Sequence, residues 1–276
     1  MKFDRIAILG AGSMGQAILA GLLRSGIDAS QITASTKSAA TAERLTDEYG
    51  IEAFAHETNS DANGRAVDLA DIVIVAVKPA YVVEVLSDVA GNLRSDALII
   101  SVAAGITTQA MQAAVADTVA VIRSMPNTPA IVGRAVTGLA RGSRATENQL
   151  ALAQQLFETI GTVLVVDETK IDELSTVSGS GPAYVFYLIE QFTKAAIDMG
   201  FSPSDARMMV EETFAGASQL LAASGKQPED LRRQVTSPNG TTMQAVAVFE
   251  QADLHQLFGK ATAAALARAK EIAAGK

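Results

Sequence analysis

The sequence predicts an α/β protein in two parts, a parallel-sheet domain over residues 1–167 and an all-helical domain over residues 168–276. Three observations predict it. From Arg5 to Val166, short β-branched runs alternate with segments of helical period, the pattern of βαβ units. Some of those runs are apolar throughout, as in Ile72-Val73-Ile74-Val75-Ala76-Val77, which suits central strands covered on both faces. After Asp167 the strand pattern vanishes, and Ala-, Leu- and Met-rich helical segments continue to Lys276.

Taken in order, strands are expected at 6–9, 32–35, 72–77, 97–101, 119–124, 135–140 and 162–166, with a weaker one at 51–54. The last strands are candidates for antiparallel edges. In the helical part, Pro182 lies just inside one helix start, Ser202-Pro203 precedes another and Pro228-Glu229 opens a third, since proline suits the first helical position. Tiny residues abound, as in Ala261-Thr262-Ala263-Ala264-Ala265-Leu266-Ala267. They allow close helix packing but give a lone helix little apolar area to bury, so a partner subunit is expected to supply the rest.

Composition limits the chemistry. At 276 residues and 49% hydrophobic, the chain is long enough for two domains with a sizeable core. It has no cysteine, which removes disulfides, thiolate nucleophiles and thiolate-held metals. Metal-ligand clusters are absent from the sequence, and no metal is expected. A net charge of −8 opposes general binding to nucleic acid or anionic membrane. Neither a leader pattern nor a membrane-length apolar run is visible, so the expectation is a cytoplasmic protein.

Gly10-Ala11-Gly12-Ser13-Met14-Gly15 directly follows the first strand and opens a helix expected over 16–25, the context that a G-x-G-x-x-G match requires. Gly10 permits the tight turn, Gly12 lets the backbone approach a pyrophosphate, and Gly15 allows helix and strand to pack closely. The pyrophosphate would lie at the helix N-terminus, where free N–H groups and the macrodipole favour negative charge. The alternative is a glycine turn with no ligand.

The choice between NAD and NADP turns on the end of the second strand, about 20 residues on, where a carboxylate would bond the ribose 2′-hydroxyl. That stretch is Ser35-Thr36-Lys37-Ser38. With hydroxyls, a cation and no carboxylate it favours a 2′-phosphate, hence NADPH, with NADH as a weaker substitute. The alternative is a plain polar loop. Further loops follow later strands as Lys78-Pro79 and as Val102-Ala103-Ala104-Gly105. Their small residues leave room for ribose or nicotinamide, although Lys78 read by itself fits an ordinary surface cation equally well.

Three more stretches carry a resemblance: Arg123-Ser124-Met125-Pro126-Asn127-Thr128-Pro129-Ala130, Ser178-Gly179-Ser180-Gly181-Pro182-Ala183-Tyr184-Val185-Phe186, and Val235-Thr236-Ser237-Pro238-Asn239-Gly240-Thr241-Thr242. With Val75-Ala76-Val77-Lys78-Pro79, they are similar in order and spacing to the motifs of the pyrroline-5-carboxylate reductase family, from Ile6 to about Ala267. The resemblance implies an N-terminal Rossmann-like dinucleotide-binding domain followed by an all-α dimerisation domain, with the active site between them. It also implies NADPH-dependent reduction of the cyclic imine L-1-pyrroline-5-carboxylate to L-proline, the last step of proline biosynthesis. The implied assembly is a homodimer through the helical domain, extending in some members to rings of dimers.

By position, the resemblance places cofactor contacts at Gly10, Ala11, Gly12, Ser13, Met14, Gly15, Ser35, Thr36, Lys37, Asn63, Ala76, Val77, Lys78, Pro79, Ala103, Ala104 and Gly105, with Met125 and Asn127 bordering the nicotinamide. Ser237, Gly240, Thr241 and Thr242 form the substrate loop. Its Ser and Gly before a helix expose a nest of N–H groups suited to the substrate carboxylate. Thr242, the catalytic candidate, would face the ring nitrogen and hold the imine at hydride-transfer distance. Asn239 departs from the family's glycine, and Asn tolerates φ > 0 better than other side chains. Glu168 is a candidate for the acidic group that some members contribute to the site. His56 and His255 lie outside the motifs and read as surface or loop residues.

Two other readings compete. A β-hydroxyacid dehydrogenase needs a lysine in the helical domain for acid–base work on an alcohol, and Lys194 is the obvious candidate. An NADPH-binding protein without turnover would keep the fold alone; the intact Thr241-Thr242 pair argues against it.

Overall fold

The computed structural model describes residues 4–273. One compact unit runs to Ser180 and takes up the chain again from Ala265; the other is Gly181–Ala264.

The first unit is built on strands β1 (Ile6–Leu9), β2 (Ile32–Thr36), β3 (Glu52–Ala55), β4 (Ile72–Val75), β5 (Leu98–Ser101), β6 (Ala120–Met125), β7 (Ala135–Arg141) and β8 (Gly161–Val165). They form one sheet in the order β3-β2-β1-β4-β5-β6-β7-β8. The first six strands are parallel, with Ile6 opposite both Ile32 and Ile72. β7 runs antiparallel to β6, and β8 is parallel to β7. The antiparallel expectation therefore describes a reversed pair at one edge of the sheet.

Between the strands lie helices α1 (Ser13–Arg24), α2 (Ala39–Tyr49), α3 (Ala62–Val67), α4 (Val82–Val89), α5 (Thr108–Gln112) and α6 (Glu147–Glu158), and α7 (Ile171–Leu174) follows β8. The pleat sends alternate side chains to opposite faces. Ile6, Ile8, Ile72 and Ile74 meet Ile18, Leu19 and Leu22 of α1 and Leu156 and Phe157 of α6 on one face. Ala7, Leu9, Val73 and Val75 meet Val67 of α3, Leu86 of α4 and Met111 of α5 on the other. Each such Val, Leu, Ile, Phe or Met side chain contributes about 1.5–3 kcal/mol when fully buried.

Strand β4 ends two residues earlier than the 72–77 run suggests, because hydrophobicity does not distinguish a strand from the apolar loop beyond it. Helix α1 begins at Ser13, with Gly12 as its cap, rather than at Gln16. Past β8, the chain packs back on the sheet. A Cβ on Gly138 would lie 2.8 Å from Leu174 and 3.2 Å from Ile171, so the missing side chain lets α7 lie directly on β7. A π-helical turn over Ser175–Gly179 follows.

The second unit is helical: α8 (Gly181–Asp198), α9 (Pro203–Ser224), α10 (Pro228–Gln234), α11 (Thr241–Gln251) and the start of α12 (Leu254–Ala273). The proline signals lie at helix starts. Ser202 caps α9 by accepting from the Asp205 N–H, with Pro203 in its first turn, and Pro228 opens α10 behind Gln227. Ala196, Ala206 and Val210 are buried in α8 and α9. Phe186, Tyr187, Phe192, Phe201, Phe249 and Phe258 are exposed.

Among the described residues, no helix is long and apolar enough to cross a membrane. Nor does any cluster of three His, Asp or Glu side chains among them offer a metal site.

Candidate active site

The strand order puts β1 beside β4, and the loops beyond them diverge to helices on opposite faces. Ligands of open α/β sheets bind in the crevice made there. It holds a cavity of about 580 Å³ lined by Gly10, Ala11, Gly12, Ser13, Thr36, Lys37, Ser38, Ala76, Val77 and Lys78. A neighbouring cavity of about 430 Å³ shares Gly10, Thr36, Lys37, Val77 and Tyr81 with it and adds Ser35, His56 and Asn63.

Each glycine of the loop has a distinct physical role. Gly10 has φ of +78°, and a Cβ there would lie 2.6 Å from Val77 Cγ1, so the turn admits no side chain. At Gly12 an added Cβ would meet only the Gly10 carbonyl oxygen, at 3.9 Å, so its surroundings are open. A Cβ on Gly15 would touch Ile8 at 3.2 Å and Ala76 at 3.4 Å, which is where α1 closes on the sheet. Gly12 caps α1 without a side-chain hydrogen bond, leaving the helix-start N–H groups open to an anion.

Ser35 is buried at the end of β2. Its carbonyl accepts from Gly10 N–H at 3.1 Å and Ala11 N–H at 2.9 Å. Its hydroxyl accepts from Gly10 N–H at 3.2 Å and donates to Asn63 Oδ1 at 2.6 Å. Ser35 and Asn63 thus brace the glycine turn from below, and both line the second cavity. Thr36 is buried too, its hydroxyl donating to the Ser38 carbonyl at 2.9 Å. Lys37 is exposed on the cavity rim and supplies a cation beside that of Lys78. The hydroxyls expected to converge on a phosphate are largely engaged in shaping the loop.

Lys78 is exposed and precedes a 3₁₀ turn, Pro79–Tyr81. Tyr81 lines both cavities, and its ring offers a platform for a base. Ala103 is buried, with its N–H donating to Ser101 Oγ at 3.2 Å. Gly105 takes φ of +75°, and Ala103, Ala104 and Gly105 follow the carboxyl end of β5 beside β4.

Two motifs far apart in sequence meet beyond β6. Met125 ends that strand, and its Cε lies 3.2 Å from where a Gly179 Cβ would stand. Asn127 is buried, donating to the Ser178 carbonyl at 2.9 Å and accepting from Val136 N–H at 2.9 Å. Its amide therefore ties the π-helical turn to the sheet.

Glu168 accepts from Thr108 N–H at 2.6 Å and Thr108 Oγ1 at 2.7 Å. It lies 3.8 Å from Arg123, whose buried guanidinium also pairs with Asp172. These bonds anchor the start of α5, just past the Gly105 loop.

In the helical unit, Gly240 caps α11 without a side-chain hydrogen bond. Its N–H donates to the Ser237 carbonyl at 3.0 Å, and an added Cβ would lie 2.4 Å from Ser237 Oγ. Asn239 sits at φ of +59°, the left-handed conformation that a family glycine would take without strain. Thr241 and Thr242 are exposed in the first turn of α11, beside the open N–H groups of its N-terminus.

Lys194 is exposed and paired with Glu190. That hydrogen bond raises its pKa, the opposite of what a lysine base needs. His255 is exposed. Sequence reasoning missed His56, Tyr81 and Gln16 as cavity residues. Tyr81, three residues past Lys78, was the one with a local signal, an aromatic close behind a loop at the end of a strand.

Residues 168–272 match the family model "Pyrroline-5-carboxylate reductase dimerisation", and residues 5–105 match "NADP oxidoreductase coenzyme F420-dependent". The chain is 36% identical over 274 residues to a pyrroline-5-carboxylate reductase of Pseudomonas aeruginosa, covering 99% of this chain and 98% of that one. Among solved structures it is similar to a pyrroline-5-carboxylate reductase from Coxiella burnetii, with a TM-score of 0.89, 32% identity and 98% of each chain covered. A Plasmodium falciparum pyrroline carboxylate reductase with NADP bound shares the fold, with a TM-score of 0.82, 22% identity and 98% of each chain covered.

Proposed function

The chain belongs to the pyrroline-5-carboxylate reductase family, and on that premise we propose how its own residues carry out the reaction. The activity is NADPH-dependent reduction of the C=N bond of L-1-pyrroline-5-carboxylate to L-proline, the last step of proline biosynthesis. The observation that carries the residue-level reading is the uncapped N-terminus of α1 at the crevice of about 580 Å³. The open surroundings of Gly12 fit a pyrophosphate there, where a side chain would fill the space.

When bound, NADPH supplies the hydride. In this reading the α1 N–H groups and Ser13 would hold its pyrophosphate, Lys37 would attract the 2′-phosphate, and Tyr81 would offer its ring to the adenine. Ala76, Val77, Lys78, Pro79, Ala103, Ala104 and Gly105 give the walls of the nicotinamide side, with Met125 bordering the ring. Asn127 acts through Ser178, positioning that wall.

The substrate carboxylate takes the N–H groups at the start of α11. The Thr242 hydroxyl would bond the ring nitrogen and fix the orientation of the imine. A cyclic imine can enter already protonated, so little acid–base machinery is needed. The exposed aromatic residues of α8, α11 and α12 support a homodimer through the helical unit, with larger rings an extension of it. A cytoplasmic location fits a cofactor-using biosynthetic enzyme whose described helices do not span a membrane.

The experiment is NADPH oxidation on adding L-pyrroline-5-carboxylate, with proline measured as product and NADH run in parallel. Turnover with proline formed, faster with NADPH, is the expected result. Cofactor binding without proline would overturn the assignment of Thr242 and the α11 loop.

A further inference from the structure

The cofactor loop at the end of β2 lacks a carboxylate in sequence, yet the fold supplies one. Ala39 N–H, in the first turn of α2, donates to Glu57 Oε2 at 2.9 Å. Glu57 comes from beyond β3, and its backbone is held beside the loop. His56 N–H donates to the Thr36 carbonyl at 3.0 Å and Glu57 N–H to the Lys37 carbonyl at 3.1 Å. These two bonds continue the β2–β3 ladder past the Thr36–Ala55 pair. The loop's hydroxyls also have partners: Thr36 Oγ1 bonds the Ser38 carbonyl, and Ser38 Oγ lies 2.9 Å from Thr41 Oγ1.

We propose that Glu57 is a specificity-determining residue for the cofactor, competing with the 2′-phosphate for the Ala39 N–H and opposing the attraction of Lys37. The inference rests on the reading that the 2′-position lies over residues 36–39. The chemistry discriminates in a definite direction. A carboxylate accepts a hydrogen bond from a ribose 2′-hydroxyl and repels a phosphate of one to two negative charges. NADH therefore gains from Glu57 and NADPH loses, so the preference for NADPH is narrower than Lys37 would otherwise set. Both side chains are exposed, so their effect is moderated by water and salt.

The test is the dissociation constant of each dinucleotide, measured by fluorescence titration on the full chain, for wild type, Glu57→Gln and Lys37→Met. Glu57→Gln is expected to tighten NADPH roughly tenfold, as removal of one nearby like charge in largely aqueous surroundings should, while NADH is unchanged or weaker. High salt should shrink the gain. If the NADPH/NADH ratio stays within about twofold of wild type, Glu57 is only a brace for α2 and the inference fails; a thermal melt of the variant would then carry the whole effect. Lys37→Met separates this from failure of the underlying reading. Selective weakening of NADPH keeps the 2′-position at this loop, and no change in either cofactor removes it from there.

Discussion

The sheet unit and the helical unit solve burial in opposite ways. In the sheet unit β1, β4 and β5 are buried along their whole length, and their two faces are closed by helices of the same unit. In the helical unit α8 has 18 residues, of which Ala196 is the buried one, while Phe186 is 66% and Tyr187 60% exposed. An apolar surface of that extent on one unit marks an interaction face rather than a finished core. The stability of the first unit thus belongs to the chain, whereas that of the second depends on what covers it.

The largest effect should come from breaking the contrast at its weaker side. Phe192→Glu places a charge on the exposed aromatic face of α8, and sedimentation equilibrium should show the dimer giving way to monomer with turnover lost. A wild-type chain that already sediments as a monomer at working concentration would show instead that the surface serves another partner. Melting temperature should also rise with protein concentration for wild type, as it does when folding is linked to association.

On the other side, Ile74→Ala opens a cavity where β4 packs between the two helical layers, at a residue that is 0% exposed. It should cost about 2–5 kcal/mol in denaturant unfolding, and the loss should not depend on protein concentration. A strong concentration dependence would blur the distinction between the two units.

The contrast extends to the proposed function, in which the sheet unit would hold the cofactor and the α11 loop of the helical unit the substrate. Thr242→Ala should lower kcat on the order of 100-fold while leaving the NADPH dissociation constant within about twofold. Undiminished turnover would take Thr242 out of the reaction.

The smallest effect is expected at Asn239. At φ of +59°, Asn239→Gly should relieve a left-handed strain and stabilise the chain by about 0.5 kcal/mol, read as a small shift of the unfolding midpoint. A destabilised variant would mean that the asparagine side chain is itself a structural group of the loop.

Much of the fold was legible because periodicity reports local burial. The apolar run in β4, the Gly10–Gly15 turn behind β1 and the proline-marked helix starts of the second unit each carry their signal within a few residues. The family motifs were legible for the same reason, including the turn at Asn239, whose side chain tolerates the conformation that the position demands.

Local pattern therefore set the kinds of element and their order, and it marked the loops proposed for dinucleotide and substrate. Only the tertiary structure decided which groups those loops leave available. The hydroxyls of Ser35 and Thr36 look like ligands in sequence, but Asn63 and the Ser38 carbonyl engage them. Asn127 clamps Ser178, Glu168 anchors α5, and Glu57 brings its carboxylate to a loop 18 residues away. The physical reason is that a hydrogen bond is satisfied by whatever the strand order brings within 3 Å or so, and strand order is a property of the whole sheet that no local pattern encodes.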